Sequence, residues 1–449
     1  MTLPTAFIAQ MRELLGPDLP AFLEALSRPA PVSVRRNFQK LKNLRENSEG
    51  VKWNNNGVYL DQRPVFTLDP LFHAGAYYVQ EASSMLISAA LRGIRLETES
   101  PTVLDLCAAP GGKSTLLASE LPEGRFLVCN EVIGSRYQVL NYNLVKWGQA
   151  GVHASQADSR HFAPLAGFFD LVLADAPCSG EGLFRKDPRA IAEWSPAHTD
   201  FCAGRQRRIL GEAAQLVRPG GFLLYSTCTY NTKENQENAR WTAENLDMDF
   251  IPLEIPPDWG VIQTEWGAQC FPHRVRGEGF FLACFQKKVG KALQDPAKGW
   301  KNWLPVPKAV QSALNEWIEP DSSMVYFQSG QGEIRIIRES ELAKAQLLDN
   351  KLRRFLPGQA VGIFKGKDFI PAPELALNTG INWKFPRASL SREEALIYLK
   401  KGAPPGSFPQ GWFAVEYEGL ALGWAKGLNN RVNNYYPKEW RIIMDIPEN

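Results

Sequence analysis

The chain has 449 residues, 44% of them hydrophobic and 22% charged, with a formal net charge of +2. Length alone suggests about three domains, and the ordinary composition excludes a disordered or fibrous chain. No apolar run approaches the ~18 residues of a spanning helix. The start, MTLPTAFIAQMRELLG, has no basic stretch ahead of its apolar residues, so no signal peptide is expected and the expected location is cytoplasmic. Seven cysteines, an odd number with no C-x-x-C pair, argue against a disulfide framework or a zinc site. No metal is expected. Any cysteine with a special role has it through thiolate chemistry.

The first 95 residues read as an α+β accessory domain. Phe7, Ile8, Met11, Leu14 and Leu15 fall on one face of a helix. Residues 30–37 alternate as a strand, and Asn54-Asn55-Asn56-Gly57 reads as a turn. GAYYVQEASSM at 75–85 leads into an apolar helix through Leu91. Tyr77 and Tyr78 have the chemistry to stack on bases, although aromatics so placed more often serve a core. Arg28, Arg35, Arg36, Lys40, Lys42 and Arg45 are interrupted by no acid. Such a segment is either a solvated face or a surface for phosphates.

From Thr102 the pattern alternates strand and helix, the mark of a doubly wound α/β sheet. Strands are expected at 102–110, 125–131, 152–158, 169–177 and 222–227. Helices are expected at 113–121, 135–147, 198–217 and 232–244. Two more strands, at 250–255 and 279–286, close a core assigned to 96–289. Asn231 with Glu234 resembles a capping box opening the helix at 232. Residues 287–307 read as a linker, rich in lysine with only Asp295 against it. Then come a small α/β unit at 298–355 and, at 357–449, a β-rich, barrel-like domain with Trp412, Trp424, Tyr435, Tyr436 and Trp440.

Two stretches carry chemistry. DLCAAPGGKS at 105–114 sits at a strand-to-helix turn, where glycines admit a ligand and a helix N-terminus offers N–H groups. Glu131 lies 20 residues beyond Gly111, the place of a carboxylate that grips ribose hydroxyls. Asp158 and Asp175 end the next two strands. A P-loop ATPase is the competing reading, but its first glycine falls on Cys107. The second stretch is a pair, DAPCSGEG at 175–182 and STCT at 226–229, which puts Cys178 and Cys228 at the ends of neighbouring strands. A thiolate adding to carbon 6 of cytosine makes carbon 5 nucleophilic enough to take an electrophilic methyl group. Asp175 is the candidate acid at ring nitrogen 3. The helix expected at 232 would favour the Cys228 thiolate through its dipole.

With these residues in place the chain resembles the Nop/Sun family of RNA cytosine-5 methyltransferases over about residues 30–290. The matching stretches are VRRN (34–37), GAYYVQEASSM, DLCAAPGGKS, Glu131, DAPCSGEG, FRKDP (184–188), QRRIL (206–210) and YSTCTY (225–230). The resemblance implies a Rossmann-like class I methyltransferase core using S-adenosyl-L-methionine. It places the cofactor on Cys107, Ala108, Ala109, Pro110, Gly111, Gly112 and Lys113, with Glu131, Arg136, Asp158 and Asp175. It makes Cys228 the nucleophile and Cys178 the residue that aids release. DNA cytosine methyltransferases use the Pro-Cys cysteine instead, here Cys178. RNA contacts are expected from Arg35, Arg36, Phe184, Arg185, Lys186 and the C-terminal domain. The C-terminal extension is similar to that of bacterial 16S rRNA (cytosine-C5)-methyltransferases, whose small α/β unit precedes a PUA-like domain; GWAKGLNNRVNNYYPKEWRI at 423–442 carries this likeness. A tRNA substrate and a non-catalytic RNA-binding assembly factor are the alternatives.

Overall fold

The computed structural model describes residues 2–41, 49–295 and 298–446. Lys42 and Arg45 of the basic segment lie outside them. Helices α1 (Thr5–Leu15) and α2 (Leu19–Ser27) bury the apolar face read from the sequence. Phe7, Met11, Phe22 and Leu26 pack on Phe184, Trp194, Tyr230 and Phe271 of the core. A four-stranded antiparallel sheet follows, in the order β2-β3-β1-β4. Its strands are β1 (Val32–Arg36), β2 (Gly50–Val51), β3 (Asn54–Leu60) and β4 (Tyr77–Val79). The short helix α3 (Pro70–His73) precedes β4, and α4 (Ile87–Gly93) ends this part.

Two expectations fail here for the same reason: polar side chains find buried partners far along the chain. Asn54–Gly57 is not a turn. It opens β3, because the Asn54 amide donates to Ser88 Oγ at 2.7 Å and to Glu120 Oε1 at 2.8 Å. The turn sits at Lys52 and Trp53. Arg35 does not face solvent: it is 1% exposed. Its Nε donates to Gln80 Oε1 (2.8 Å), its Nη2 to Thr115 Oγ1 (2.6 Å), and its guanidinium lies 4.5 Å from the Trp147 ring centroid. Burial pulls its pKa down to about 10. Arg36 is half-buried and donates to Asn55 O at 3.0 Å. Tyr77 also belongs to a core, with its hydroxyl on Asp69.

The core elements run β5 (Thr102–Asp105), α5 (Gly112–Glu120), β6 (Phe126–Asn130), α6 (Gly134–Trp147), β7 (Val152–Ser155), β8 (Phe169–Asp175), α7 (Pro188–Glu193), α8 (Pro196–Leu216) and β9 (Val217–Thr227). Then come α9 (Gln236–Asn245), β10 (Met248–Ile251), β11 (Ile262–Thr264), β12 (Gly267–Cys270) and β13 (Phe280–Lys287). Strands β9-β8-β5-β6-β7 are parallel neighbours, and β13 is antiparallel to β9. Strand alternation divides this sheet between two faces. Val103, Leu127, Leu171 and Leu173 meet Leu116, Leu117 and Leu140 of α5 and α6. Leu104, Val128, Val172 and Ala174 meet Ile209, Leu210 and Ala213 of α8. The first four parallel strands end one to five residues sooner than the sequence suggested, and the residues beyond them form turns.

The C-terminal part comprises β14 (Leu304–Pro305), α10 (Lys308–Leu314), β15 (Met324–Gln328), β16 (Glu333–Arg338), α11 (Leu342–Lys351), β17 (Phe355–Leu356), β18 (Gln359–Lys365), β19 (Asp368–Pro371) and α12 (Pro373–Leu377). The last sheet has β20 (Arg387–Ser389), β21 (Gly411–Tyr417), β22 (Leu420–Leu428) and β23 (Arg431–Asn434), with α13 (Arg392–Leu399) between its first two strands. The division expected at residue 357 cuts a five-stranded sheet, β14-β15-β16-β18-β19. Just before it, β17 joins β7 of the core sheet. One apolar cluster then links Ile334, Ile336 and Val361 to Trp412 and Trp424, so the two C-terminal sheets share a core.

The placement of Arg35 has a measurable consequence. Arg35→Ala strips four side-chain and backbone acceptors of a buried partner and opens a void beside Trp147. Denaturant unfolding should show a loss of about 2–4 kcal/mol, whereas Arg36→Ala should stay within about 0.5 kcal/mol of wild type. Equal stability of the two variants contradicts the buried placement.

Candidate active site

Strands β8 and β9 pair in register, Asp175 opposite Ser226. Each then runs into a loop bearing a cysteine, and the two loops fold together. Cys178 Sγ and Cys228 Sγ stand 2.9 Å apart, both thiols free and half-buried. The Cys228 N–H also points at Cys178 Sγ, at 3.4 Å. The hydrogen bond to Cys228, then burial, raise the Cys178 pKa well above the ordinary thiol value. Contact between the loops is close because Gly182 has no side chain. Its N–H donates to Cys228 O at 2.8 Å, and a Cβ there would lie 2.7 Å from that oxygen.

A buried carboxylate anchors this arrangement. Glu181 Oε2 accepts from Thr229 Oγ1 (2.6 Å), Tyr230 N (2.8 Å) and Asn231 N (3.0 Å). Its Oε1 accepts from Gln10 Nε2 and Trp194 Nε1. Glu234 does the same for the other loop, accepting from Ser179 N and Gln206 Nε2 at 2.9 and 2.7 Å. Glu181, Glu234 and Gln206 were missed as functional residues. Glu181 and Gln206 lie in the stretches DAPCSGEG and QRRIL, but nothing local says that such side chains turn inward. The expected helix dipole behind Cys228 is absent. Residues 232–235 form turns and α9 begins only at Gln236, because Glu234 is drawn towards Ser179. Asn231 Oδ1 does accept from Glu234 N, at 2.9 Å, capping a turn and not a helix.

A cation stands in the place of that dipole. Lys113 Nζ lies 2.8 Å from Asp175 Oδ2, and Ser226 Oγ donates to Asp175 Oδ1 at 2.7 Å. Burial works against the Lys113 charge, but the neighbouring Asp175 outweighs it and raises the pKa; the charge of Cys228 adds to this. Lys113 is thus held by Asp175 and does not point freely towards a donor.

The stretch 105–114 forms the expected strand-to-helix turn between β5 and α5. Gly111, at φ +112°, opens α5, a backbone state that L side chains rarely adopt. Ala108 N donates to Asn130 O, pinning the turn to β6. Arg136 Nη2 donates to Ala109 O at 2.7 Å and its Nη1 lies 3.4 Å from Glu131 Oε2. Glu131 Oε1 accepts from Ile133 N. Asp158 caps the turn after β7 by accepting from Arg160 N. One further acid joins them. Asp105 ends β5 fully buried, with Oδ2 accepting from Ser114 Oγ at 2.6 Å and Oδ1 without a partner among the described residues. Burial raises its pKa to about 7.

The expected RNA contacts fare differently. Phe184 is 2% exposed and packs edge-on against Phe7. Arg185 is bonded to Glu278 at 3.0 Å, to Gly277 O and to Ala25 O. Lys186 Nζ sits 3.4 Å from the same Glu278, with a third of its side chain exposed. The 184–188 loop is clamped between α2 and the residues before β13, so Phe184 and Arg185 face protein. Arg35 is excluded likewise by its burial.

The chain matches the family described as 16S rRNA methyltransferase RsmB/F over residues 94–286. It also matches the N-terminal domain of 16S rRNA methyltransferase RsmF over residues 3–82 and the methyltransferase RsmF PUA domain over 385–442. A ribosomal RNA small subunit methyltransferase F from Enterobacter sp. (strain 638) is 32% identical, over 97% of this chain and 95% of the relative. Its counterpart in Salmonella agona (strain SL483) is 31% identical, over 97% and 96%. Among solved structures, a methyltransferase homolog protein from Pyrococcus horikoshii is 28% identical with a TM-score of 0.54, over 63% of this chain and 95% of that one. NSun6 from Pyrococcus horikoshii, 20% identical with a TM-score of 0.54, shares the fold. A Rossmann-like core that carries its chemistry at the strand ends, continuous likeness from end to end, and the attached PUA domain lead to one conclusion: the chain belongs to the 16S rRNA methyltransferase RsmB/F family.

Proposed function

We propose that this protein transfers a methyl group from S-adenosyl-L-methionine to carbon 5 of a cytosine in 16S ribosomal RNA, with Cys228 as the covalent nucleophile. The observation that carries the reading is the facing pair of thiols at the ends of β8 and β9, beside the Asp175–Lys113 pair. The names of the full-length relatives support ribosomal RNA as the substrate.

The donor edge suits a cationic nucleoside. Asp105, Glu131 and Asp158 line it, the Asp105 Oδ1 is buried without a partner, and Gly111 leaves the turn open. The turn from Cys107 to Gly112, with Glu131 and Asp158, would hold the donor. Arg136 braces the turn through Ala109 O, and Lys113 acts through Asp175. When bound, S-adenosylmethionine supplies an electrophilic methyl group on sulfonium.

Cys228 adds as thiolate to carbon 6 of a base drawn out of its stack. The Sγ–C6 bond forms and the C5–C6 electron pair moves towards carbon 5, while the Lys113–Asp175 pair provides the proton at ring nitrogen 3. Carbon 5 would then bond the methyl group as its bond to the donor sulfur breaks. Before attack Cys178 keeps its proton and donates towards Cys228, stabilising that thiolate. Once Cys228 is a thioether, both the charge and the hydrogen-bond acceptor that raised Cys178 are gone. Cys178 then releases its own proton to water, and its thiolate removes the proton from methylated carbon 5. The electron pair re-forms C5–C6 and expels the Cys228 thiolate, and the proton on ring nitrogen 3 returns to the Lys113–Asp175 pair.

Cys228→Ala should lower methyl transfer by about 10^4-fold or more with RNA binding retained. Cys178→Ala should accumulate a protein–RNA adduct that survives denaturing electrophoresis. Adduct formation by Cys228→Ala instead would reverse the two roles. Bisulfite sequencing of ribosomal and transfer RNA, with and without the gene, tests the substrate.

Asp105 generates a pH prediction. Its folded pKa, about 7, lies above its unfolded value of about 3.9. The folded state therefore binds the extra proton, so the Asp105 contribution to stability is full below about pH 4 and is lost as pH rises through about 7. Asp105→Asn should flatten that decline in denaturant titrations taken from pH 5 to pH 8. An unchanged slope would mean that Asp105 is already ionised in the folded protein.

A further inference from the structure

A cleft of about 570 Å³ opens on the N-terminal side of the donor turn. Loop 63–67, Phe72, Tyr78 and Asn143 form its walls. It abuts the donor turn itself. Asn143 Nδ2 donates to Pro110 O at 2.8 Å, and a Cβ on Gly112 would meet the Tyr78 ring at 3.3 Å. The Asn143 carbonyl oxygen accepts no hydrogen bond from the described residues.

The chemistry of these walls is one-sided. Phe66 and Phe72 line it with centroids 6.5 Å apart, and the buried Tyr77 packs 6.1 Å from each. The Arg63 guanidinium lies 5.4 Å from the Phe66 centroid, whereas Lys146, with Nζ 3.6 Å from the Phe72 centroid, is 1% exposed and supports the wall from inside. No carboxylate stands within ion-pair distance of either cation among the described residues, and no acid lines the cleft. The cleft of the same size beside Arg185 differs, since Glu24 and Asp61 line it. Val65 is 54% exposed at the mouth.

We propose that this cleft holds an unstacked base of single-stranded ribosomal RNA, other than the target cytosine, against its aromatic wall at Phe66, with the Arg63 guanidinium beside it. The inference rests on RNA being the substrate. Every base has a π face, so an aromatic wall accepts it, and the guanidinium beside it attracts the adjoining phosphate. An exposed cation without a carboxylate calls for an anionic partner, and an apolar aromatic floor calls for a planar one. A nucleotide meets both requirements. Capture of a second nucleotide next to the donor turn would fix the direction in which the strand crosses the site.

The test uses the full-length protein and 16S rRNA. Phe66→Leu and Arg63→Ala should each weaken RNA binding by about tenfold. Arg63→Ala should also reduce the slope of log Kd against log salt by about 0.7. Phe66→Trp, which keeps the stacking face, should bind like wild type, and the KM for the methyl donor should not move. Unchanged RNA binding in Phe66→Leu and Arg63→Ala overturns the proposal. So does equal weakening by Phe66→Leu and Phe66→Trp, which assigns Phe66 to packing. A loss seen with assembled small subunits but not with naked rRNA gives the cleft to a ribosomal protein and overturns it too. Methyl transfer by the wild-type protein is scored separately. If it is absent while the binding differences persist, the methylation reading fails and the cleft assignment stands.

Discussion

One carboxylate decides where the two sulfurs stand. Glu181 accepts five hydrogen bonds, three from Thr229, Tyr230 and Asn231 just past Cys228, one from Trp194 and one from Gln10 of α1. Bonds to a charged acceptor contribute about 1.5–3 kcal/mol each, and burying the charge without them would cost several kcal/mol. Glu181 is therefore stable inside only if the segment after Cys228 folds onto the segment after Cys178. The facing thiols are a consequence of satisfying that buried charge. Replacement by an apolar residue would leave buried donors without acceptors, and the loop bearing Cys228 would lose its fixed position.

The N-terminal helices belong to the same support. Gln10 of α1 reaches Glu181, while Phe7 and Phe22 surround Tyr230 and Phe184. Arg35 ties β1 to α5, the helix that opens at Gly111. This part of the chain thus braces both halves of the site, one through an aromatic cluster and one through a buried guanidinium. Side chains committed in this way have no surface left for RNA.

That double use marks the limit of what the sequence discloses. The core strands were legible because both faces are buried, so Val103-Leu104 or Leu171-Val172 read as apolar runs whatever surrounds them. The cysteines and acids were legible because they close those runs. Arg35 was not: whether a charged residue turns inward depends on Gln80 and Thr115, 45 and 80 residues away. Asn54 was drawn into a strand by Ser88 and Glu120 in the same way. The helix start at Gln236 was hidden because Glu234, a good capping residue by spacing, is claimed by Ser179. Strand β17 has two residues, too few for any period, yet it joins the C-terminal part to the core sheet. Local pattern predicts elements well and fails wherever a polar side chain has a distant partner.

The charge balance follows from the same tendency. A protein of net charge +2 acting on a polyanion gains little long-range attraction. Many of its surface cations are also paired: Arg276 with Glu49, Arg274 with Asp18, Lys233 with Asp200, Lys52 with Asp258. Pairing leaves the surface as a mosaic, with a local positive field only where carboxylates are missing. Recognition of RNA by such a surface depends on shape and on a few desolvated contacts more than on overall attraction, so a correctly folded RNA segment gains most of its affinity after docking. This suits the proposed reaction, which starts only when one base has left its stack and reached the facing thiols that a buried carboxylate holds in place.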